Sequence, residues 1–150
     1  MVSILEQVAV LIESNAILHN IQLEKSFPAE EIIVDCDENQ LKQVFINLIK
    51  NAIEALPNGG NIHMSCRLKG EAVIISIEDD GMGIPKEKIS KLGEPFFSTK
   101  EKGTGLGLTV CLRIIKDHYG HINVHSSLNN GTTFEVVLPV VNRNSILERV

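Results

Sequence analysis

Along residues 4–19, apolar side chains return at helical spacing: Leu5, Val8, Leu11, Ile12 and Ala16 fall on one side. Residues 22–27 and 32–36 form short runs suited to strands, separated by the turn Pro28-Ala29-Glu30. Asp37, with Gln40 three residues on, then marks a helix start. The helix that follows has Leu41, Val44, Phe45, Leu48 and Ala52 as its core stripe, and the breaker Pro57-Asn58-Gly59-Gly60 ends it near Leu56. Residues 61–68 and 72–78 read as a hairpin joined by Lys69-Gly70-Glu71, with Ile62, Met64, Cys66 and Leu68 on one buried face. A second long helix is expected over residues 106–119, ended by Gly120. Residues 121–127 and 132–138 make a last hairpin, turning at Asn129-Asn130-Gly131.

Between the first hairpin and the second long helix, residues 79–107 are rich in Gly, Lys and Glu. A short helix is predicted there over residues 85–91, with Pro85 at a first-turn position. A weakly patterned connection this long inside a compact domain marks a functional loop or a disordered one, and residues 85–103 are expected to be mobile without ligand. Strands arriving in pairs between helices predict an α+β fold. It would be a two-layer α/β sandwich with a mixed, mostly antiparallel sheet and helices on one face. Single strands alternating with helices, as a Rossmann fold requires, are not what this order gives.

A length of 150 residues fits one domain with its own core, and residues 140–150 are expected to fray. The net charge of -5 disfavours nucleic acid as a partner, because phosphate backbones call for a basic face. A small anion remains open, since backbone N–H groups can hold one locally. No apolar run is long enough to span a membrane, and the first residues lack the basic and apolar regions of a signal peptide. The expected location is the cytoplasm. Cys36, Cys66 and Cys111 form no CxxC, so ordinary thiols are expected rather than a zinc site or disulfides.

Three clusters could carry chemistry. Asn47, Asn51 and Glu54 stand at i, i+4 and i+7 beside the core stripe of the helix after Asp37. A side-chain amide oxygen is a hard ligand suited to Mg2+, although alone the pair also suits solvated amides. Asp79-Asp80-Gly81-Met82-Gly83-Ile84 follows an apolar strand. A carboxylate there can accept a hydrogen bond from an amine such as adenine N6, and the glycines allow close backbone approach; a plain surface turn fits equally well. Gly103-Thr104-Gly105-Leu106-Gly107-Leu108 runs into a helix, where free N–H groups and the helix dipole favour phosphate. Taken alone it also reads as a hinge, and it is neither a P-loop nor a Rossmann fingerprint. Phe96 and Phe97 sit together in the polar stretch between the last two clusters, as an anchor for a lid or as simple packing. Lys100 and Lys102 are within reach of a phosphate as point charges, or are merely solvated.

The clusters become specific in combination. Asn47-Leu48-Ile49-Lys50-Asn51-Ala52, Asp79-x-Gly81-x-Gly83-Ile84, Phe96-Phe97, Gly103 to Leu108 and Gly131-Thr132-Thr133-Phe134 follow in one order. This resembles the N, G1, F and G2 boxes of the ATP-binding catalytic domain of bacterial sensor histidine kinases, over nearly the whole chain. Residues 94–108 and 51–55 are most similar to the sporulation-type and nitrogen-sensor-type kinases. The resemblance implies a Bergerat fold, shared with gyrase-type ATPases, the Hsp90 chaperone and MutL. It implies that Asn51 coordinates Mg2+ and that Asp79 recognises the adenine of ATP, with Gly81, Gly83 and Ile84 lining the base. It also implies that Gly103, Thr104, Gly105, Leu106, Gly107 and Leu108 cradle the phosphates, with Thr132 near the nucleotide. Many such kinases carry a basic residue three positions after the magnesium asparagine. Here that position is Glu54, which leaves Lys50 or Lys100 to supply the contact.

Position 47 separates kinase from ATPase within that resemblance. The ATPase relatives and the anti-sigma-factor serine kinases place a glutamate there, able to take a proton from water or a hydroxyl. The amide of Asn47 cannot, which favours an acceptor already nucleophilic at neutral pH, an imidazole. None of His19, His63, His118, His121 or His125 is followed by Glu or Asp, the context expected of a phosphoacceptor. The expectation is therefore a fragment whose dimerisation and phosphoacceptor helices lie elsewhere in a parent chain, with a response regulator downstream. A small serine kinase and a non-catalytic binding module are the alternatives.

Overall fold

The computed structural model describes residues 1–91 and 106–141. The elements run α1 (Val2–Leu18), β1 (Ile21–Ser26), α2 (Glu38–Glu54), β2 (Gly60–Lys69), β3 (Ala72–Asp79), α3 (Lys86–Ile89), α4 (Leu106–Asp117), β4 (His121–Ser126) and β5 (Thr132–Pro139). The strands form one sheet ordered β1-β2-β3-β5-β4, with β1 parallel to β2 and every other pair antiparallel. α1, α2 and α4 pack on it, so the two-layer α/β sandwich expected from the sequence is what forms.

Asp37 caps α2 as its sequence context predicts, its carboxylate accepting the Gln40 N–H at 3.1 Å. The stripe Leu41, Val44, Phe45, Leu48 and Ala52 is buried throughout. α2 and α4 run antiparallel. The Asp37 N–H donates to His118 Nε2 at 3.1 Å, and Cys111 Sγ lies 3.8 Å from the Val44 carbonyl. His118 Nδ1 donates in turn to the Ile114 carbonyl at 2.7 Å, which leaves Nε2 as the acceptor. This histidine joins the end of α4 to the start of α2.

Four details differ from the sequence expectation. Residues 32–36 form no strand; Ile32 is buried, while Glu31 reaches back to accept the Val2 and Ser3 N–H groups at the start of α1. That segment is spent capping a helix and covering the core instead of pairing along its length. Leu68 is 58% exposed, although Ile62, Met64 and Cys66 on the same face are buried. Pro85 is the residue before α3 and not within its first turn. At the end of α4 the left-handed residue is Tyr119 (φ 63°), not Gly120. Gly120 is required for closeness instead: a Cβ there would lie 2.2 Å from the Val137 carbonyl oxygen.

A candidate nucleotide site at one end of the sheet

Strand alternation sets the polar groups of this site. On β3, Val73, Ile75 and Ile77 face the helices, and Asp79 is next in the same line. On β5, Phe134, Val136 and Leu138 are preceded by Thr132; on β4, Ile122 and Val124 are followed by Ser126. Each apolar line ends in a polar side chain at the same end of the sheet, because Asp79 is paired with Thr132 and Thr132 with Ser126.

Asp79 and Thr132 are both 6% exposed. Burial pushes the Asp79 carboxyl above its ordinary value, against hydrogen bonds from the N–H groups of Gly81 and Thr132 that pull it down. The Gly81 bond is 2.9 Å. Asp80, its neighbour, does the opposite. Hydrogen bonds from the Asn61 backbone N–H (2.9 Å) and side-chain amide (3.0 Å) hold its carboxyl below the ordinary value. Asp80 therefore fastens the start of β2, a role the sequence reading did not assign, while Asp79 is the carboxylate aimed inward.

The loop after Asp79 is bolted to the β4–β5 turn. The Ile84 N–H donates to Ser126 Oγ at 2.7 Å and the Asn129 N–H to the Met82 carbonyl at 2.8 Å. Two glycines permit this. Gly83 has φ 74° and a Cβ there would lie 1.9 Å from the Ser127 carbonyl oxygen; Gly131 has φ 79° and a Cβ would lie 2.0 Å from the Asp79 carbonyl oxygen. Ser126 and Asn129 are site residues that sequence reasoning missed; Gly131 stands within the motif pattern but was given no site role. The signal for Ser126 was its place in the apolar register of β4.

α2 spans the site from the other side. A Cβ at Gly81 would meet the Ala55 carbonyl oxygen at 2.6 Å, so the loop touches the C-terminal end of α2. Two turns earlier, Asn47 is half-buried and its amide donates to Cys111 Sγ at 3.8 Å. Asn51, also half-buried, stands between these contacts, about 6 Å from each along the helix axis. The antiparallel register that sets Asn47 against Cys111 brings Asn51 level with Gly107, in the first turn of α4. Gly107 is exposed, with no atom of the described residues within 4 Å of a Cβ placed on it, and Leu108 packs against the core.

Thus Asn51, Asp79, Gly81, Gly83, Ile84, Gly107, Leu108 and Thr132 gather at one end of the sheet. Lys50 is exposed on α2. Lys100, Gly103, Thr104 and Gly105, with Phe96, Phe97, Lys102 and most of residues 85–103, lie outside the described residues, as does the 142–150 tail. Cys66 and Cys111 are buried free thiols, both pushed up to about 11 by burial. Among the described residues no three His, Cys, Asp or Glu side chains converge as a metal cage, and no helix is long and apolar enough to cross a membrane.

The family described as histidine kinase-, DNA gyrase B- and HSP90-like ATPase matches residues 36–142. Sporulation kinase C of Bacillus subtilis (strain 168) is 51% identical over 138 residues, covering 91% of this chain and 32% of that protein. The chain thus spans under a third of that curated relative's length. Among solved structures, the catalytic domain of histidine kinase ThkA superposes with a TM-score of 0.83 at 36% identity, covering 93% of this chain and 91% of that one. ThkA is also known in complex with the response regulator protein TrrA, where the TM-score is 0.81 at 32% identity over 94% of this chain and 40% of that one. Full-length ShkA in complex with AMPPNP gives a TM-score of 0.83 at 26% identity, over 93% of this chain and 30% of that one.

Proposed function

The chain belongs to the family of histidine kinase-, DNA gyrase B- and HSP90-like ATPases, and from that premise we propose that it binds Mg–ATP and donates the γ-phosphoryl group to a histidine on a separate dimerisation domain, as the catalytic part of a two-component sensor kinase. The observation that carries the reading is Asp79: a carboxylate buried at the end of an apolar strand line, held by the Gly81 N–H, at the mouth of a glycine-built loop. Such a group is costly to the fold unless a ligand uses it.

In this reading Asp79 accepts from the exocyclic amine of adenine. Gly81, Gly83 and Ile84 line the base, and Thr132 supports it. The backbone of Gly103, Thr104, Gly105, Leu106, Gly107 and Leu108 cradles the phosphates, with Lys100 or Lys50 as an added charge. Asn51 offers one amide oxygen to Mg2+; a cation that shares phosphate oxygens and water needs no all-protein cage. When bound, Mg2+ neutralises charge on the phosphates. Asn47 cannot take a proton, so an imidazole acceptor is favoured over water or a serine hydroxyl. The phosphoacceptor and dimerisation helices then belong to the rest of a longer parent, in the cytoplasm, which passes phosphate to a response regulator.

Incubation with γ-labelled ATP and a dimerisation domain should place acid-labile, base-stable label on histidine of that domain. Acid-stable label on serine would overturn the histidine-kinase assignment. The absence of any label despite tight ATP binding would favour a non-catalytic module.

A further inference from the structure

We propose that Ser126 fixes the direction of the Thr132 hydroxyl, and thereby makes the base pocket prefer a purine bearing an amine at C6 over one bearing a carbonyl; this rests on the nucleotide-binding reading above. Among the described residues Ser126 Oγ has three hydrogen-bond neighbours: the Ile84 N–H at 2.7 Å, the Gly131 carbonyl at 2.9 Å and Thr132 Oγ1 at 2.8 Å. The backbone partners leave no freedom, because an N–H can only donate and a carbonyl can only accept. The serine has one proton, and it goes to the Gly131 carbonyl. Its lone pairs accept from Ile84 and from the Thr132 hydroxyl. Thr132 therefore spends its single proton on Ser126, and its remaining capacity towards the site is as an acceptor.

Thr132 and Asp79 are directly opposite on paired strands, so the hydroxyl and the carboxylate share one face and belong to one cluster. An ionised carboxylate only accepts. The pocket thus presents two acceptors and no hydroxyl donor at the point where the base edge sits. An amine satisfies that arrangement, whereas a carbonyl meets like polarity and leaves buried groups unpaired. Without the Ser126 hydroxyl, the Thr132 proton is released and can turn to donate to a carbonyl. Sequence pattern alone gives Ser126 only a place on β4; the hydrogen-bond directions require the fold.

The test measures affinities for ATP and for inosine triphosphate, which carries a carbonyl at C6, on the full chain with Mg2+. Ser126→Ala should lower the ATP-to-inosine-triphosphate affinity ratio by roughly 3- to 10-fold, the size of one neutral hydrogen bond. Ser126→Thr, which keeps the hydroxyl, should retain the wild-type ratio. In a Thr132→Val background, Ser126→Ala should change the ratio no further. A purely structural serine would weaken both nucleotides alike, and an unchanged ratio in folded Ser126→Ala overturns the proposal. Should that variant lose its fold by circular dichroism, Thr132→Val decides: a wild-type ratio there overturns it as well. If the wild-type chain binds neither nucleotide, it is the nucleotide-binding reading that fails, a result distinct from loss of selectivity alone.

Discussion

The two ends of the candidate site are built from different materials. At the base end, Asp79, Thr132 and Ser126 sit on paired strands, and the loop between them is locked by short hydrogen bonds and glycines in close contact. At the proposed phosphate end, Asn47 and Asn51 ride on α2 opposite α4, tied across by contacts to sulfur of 3.8 Å, with no described residue within 4 Å of a Cβ on Gly107. On the proposed assignment, the base end is organised before any ligand arrives, and the phosphate end leaves backbone for the ligand to engage. Preorganisation on one side lowers the ordering cost of binding there. Substitutions at the first end should therefore damage the fold or base recognition, and those at the second should change ligand affinity through phosphate or metal.

The largest effect is expected at Gly131. An alanine there must adopt φ near 79° and drive its Cβ into the Asp79 carbonyl. Backbone strain and overlap together should cost about 3 kcal/mol of unfolding free energy in a urea titration. Wild-type stability in Gly131→Ala would mean the base end is not locked in this way.

Asp79→Asn should follow, and its two readouts should move apart. Affinity for ATP should fall by about 100-fold, since an acceptor is lost and an amide donor faces the amine. Stability without ligand should hold or rise. The folded carboxyl titrates above its ordinary 3.8, so the fold prefers the protonated form. Between the unfolded and folded values, folding takes up a proton, and stability declines as pH climbs through that window. At neutral pH the neutral amide removes that handicap. For the same reason ATP affinity in the wild type should drop on acidification at a pH above that of an ordinary aspartate. A clear loss of melting temperature in Asp79→Asn at pH 7 would contradict this, as would ATP affinity flat down to the ordinary range.

Asn51→Ala tests the other end. It should weaken ATP binding by roughly 10-fold with Mg2+ and hardly at all in EDTA, because the amide is assigned to the metal. An equal loss in both conditions would move Asn51 from metal ligand to direct nucleotide contact or to packing.

How much of this was legible in the sequence follows the same division. The helices, the hairpins, the Asp37 cap and the inward face of α2 were readable because they depend on local periodicity and capping. Asp79 and Thr132 stood out through motif company, and the strand register carried them and Ser126 to one sheet end. What was not legible required non-local contact. Residues 32–36 have strand composition, but Glu31 and Ile32 are drawn to the start of α1 and the core. Asp80 looked like part of the same acidic pair as Asp79 until Asn61 claimed it across the β2–β3 pairing. His118 showed no motif because its partner, the Asp37 N–H, is 81 residues away.

The smallest effect, and the sharpest test of the comparison, is Gly107→Ala. At the base end a methyl group on glycine collides with backbone; at Gly107 it meets no described residue within 4 Å. Gly107 lies in the first turn of α4, where alanine is the better helix former, so stability should rise by about 0.5 kcal/mol. If the bare backbone is there for phosphate to approach, the same methyl group should reduce ATP affinity several-fold, on the order of 1 kcal/mol. Adenosine, which has no phosphates, should bind the variant and the wild type alike. Stability up, ATP affinity down and adenosine affinity unchanged is a combination no base-end glycine can give. Were adenosine affinity to fall along with that for ATP, Gly107 would belong to the same rigid unit as Gly83 and Gly131, and the division between the two ends would collapse.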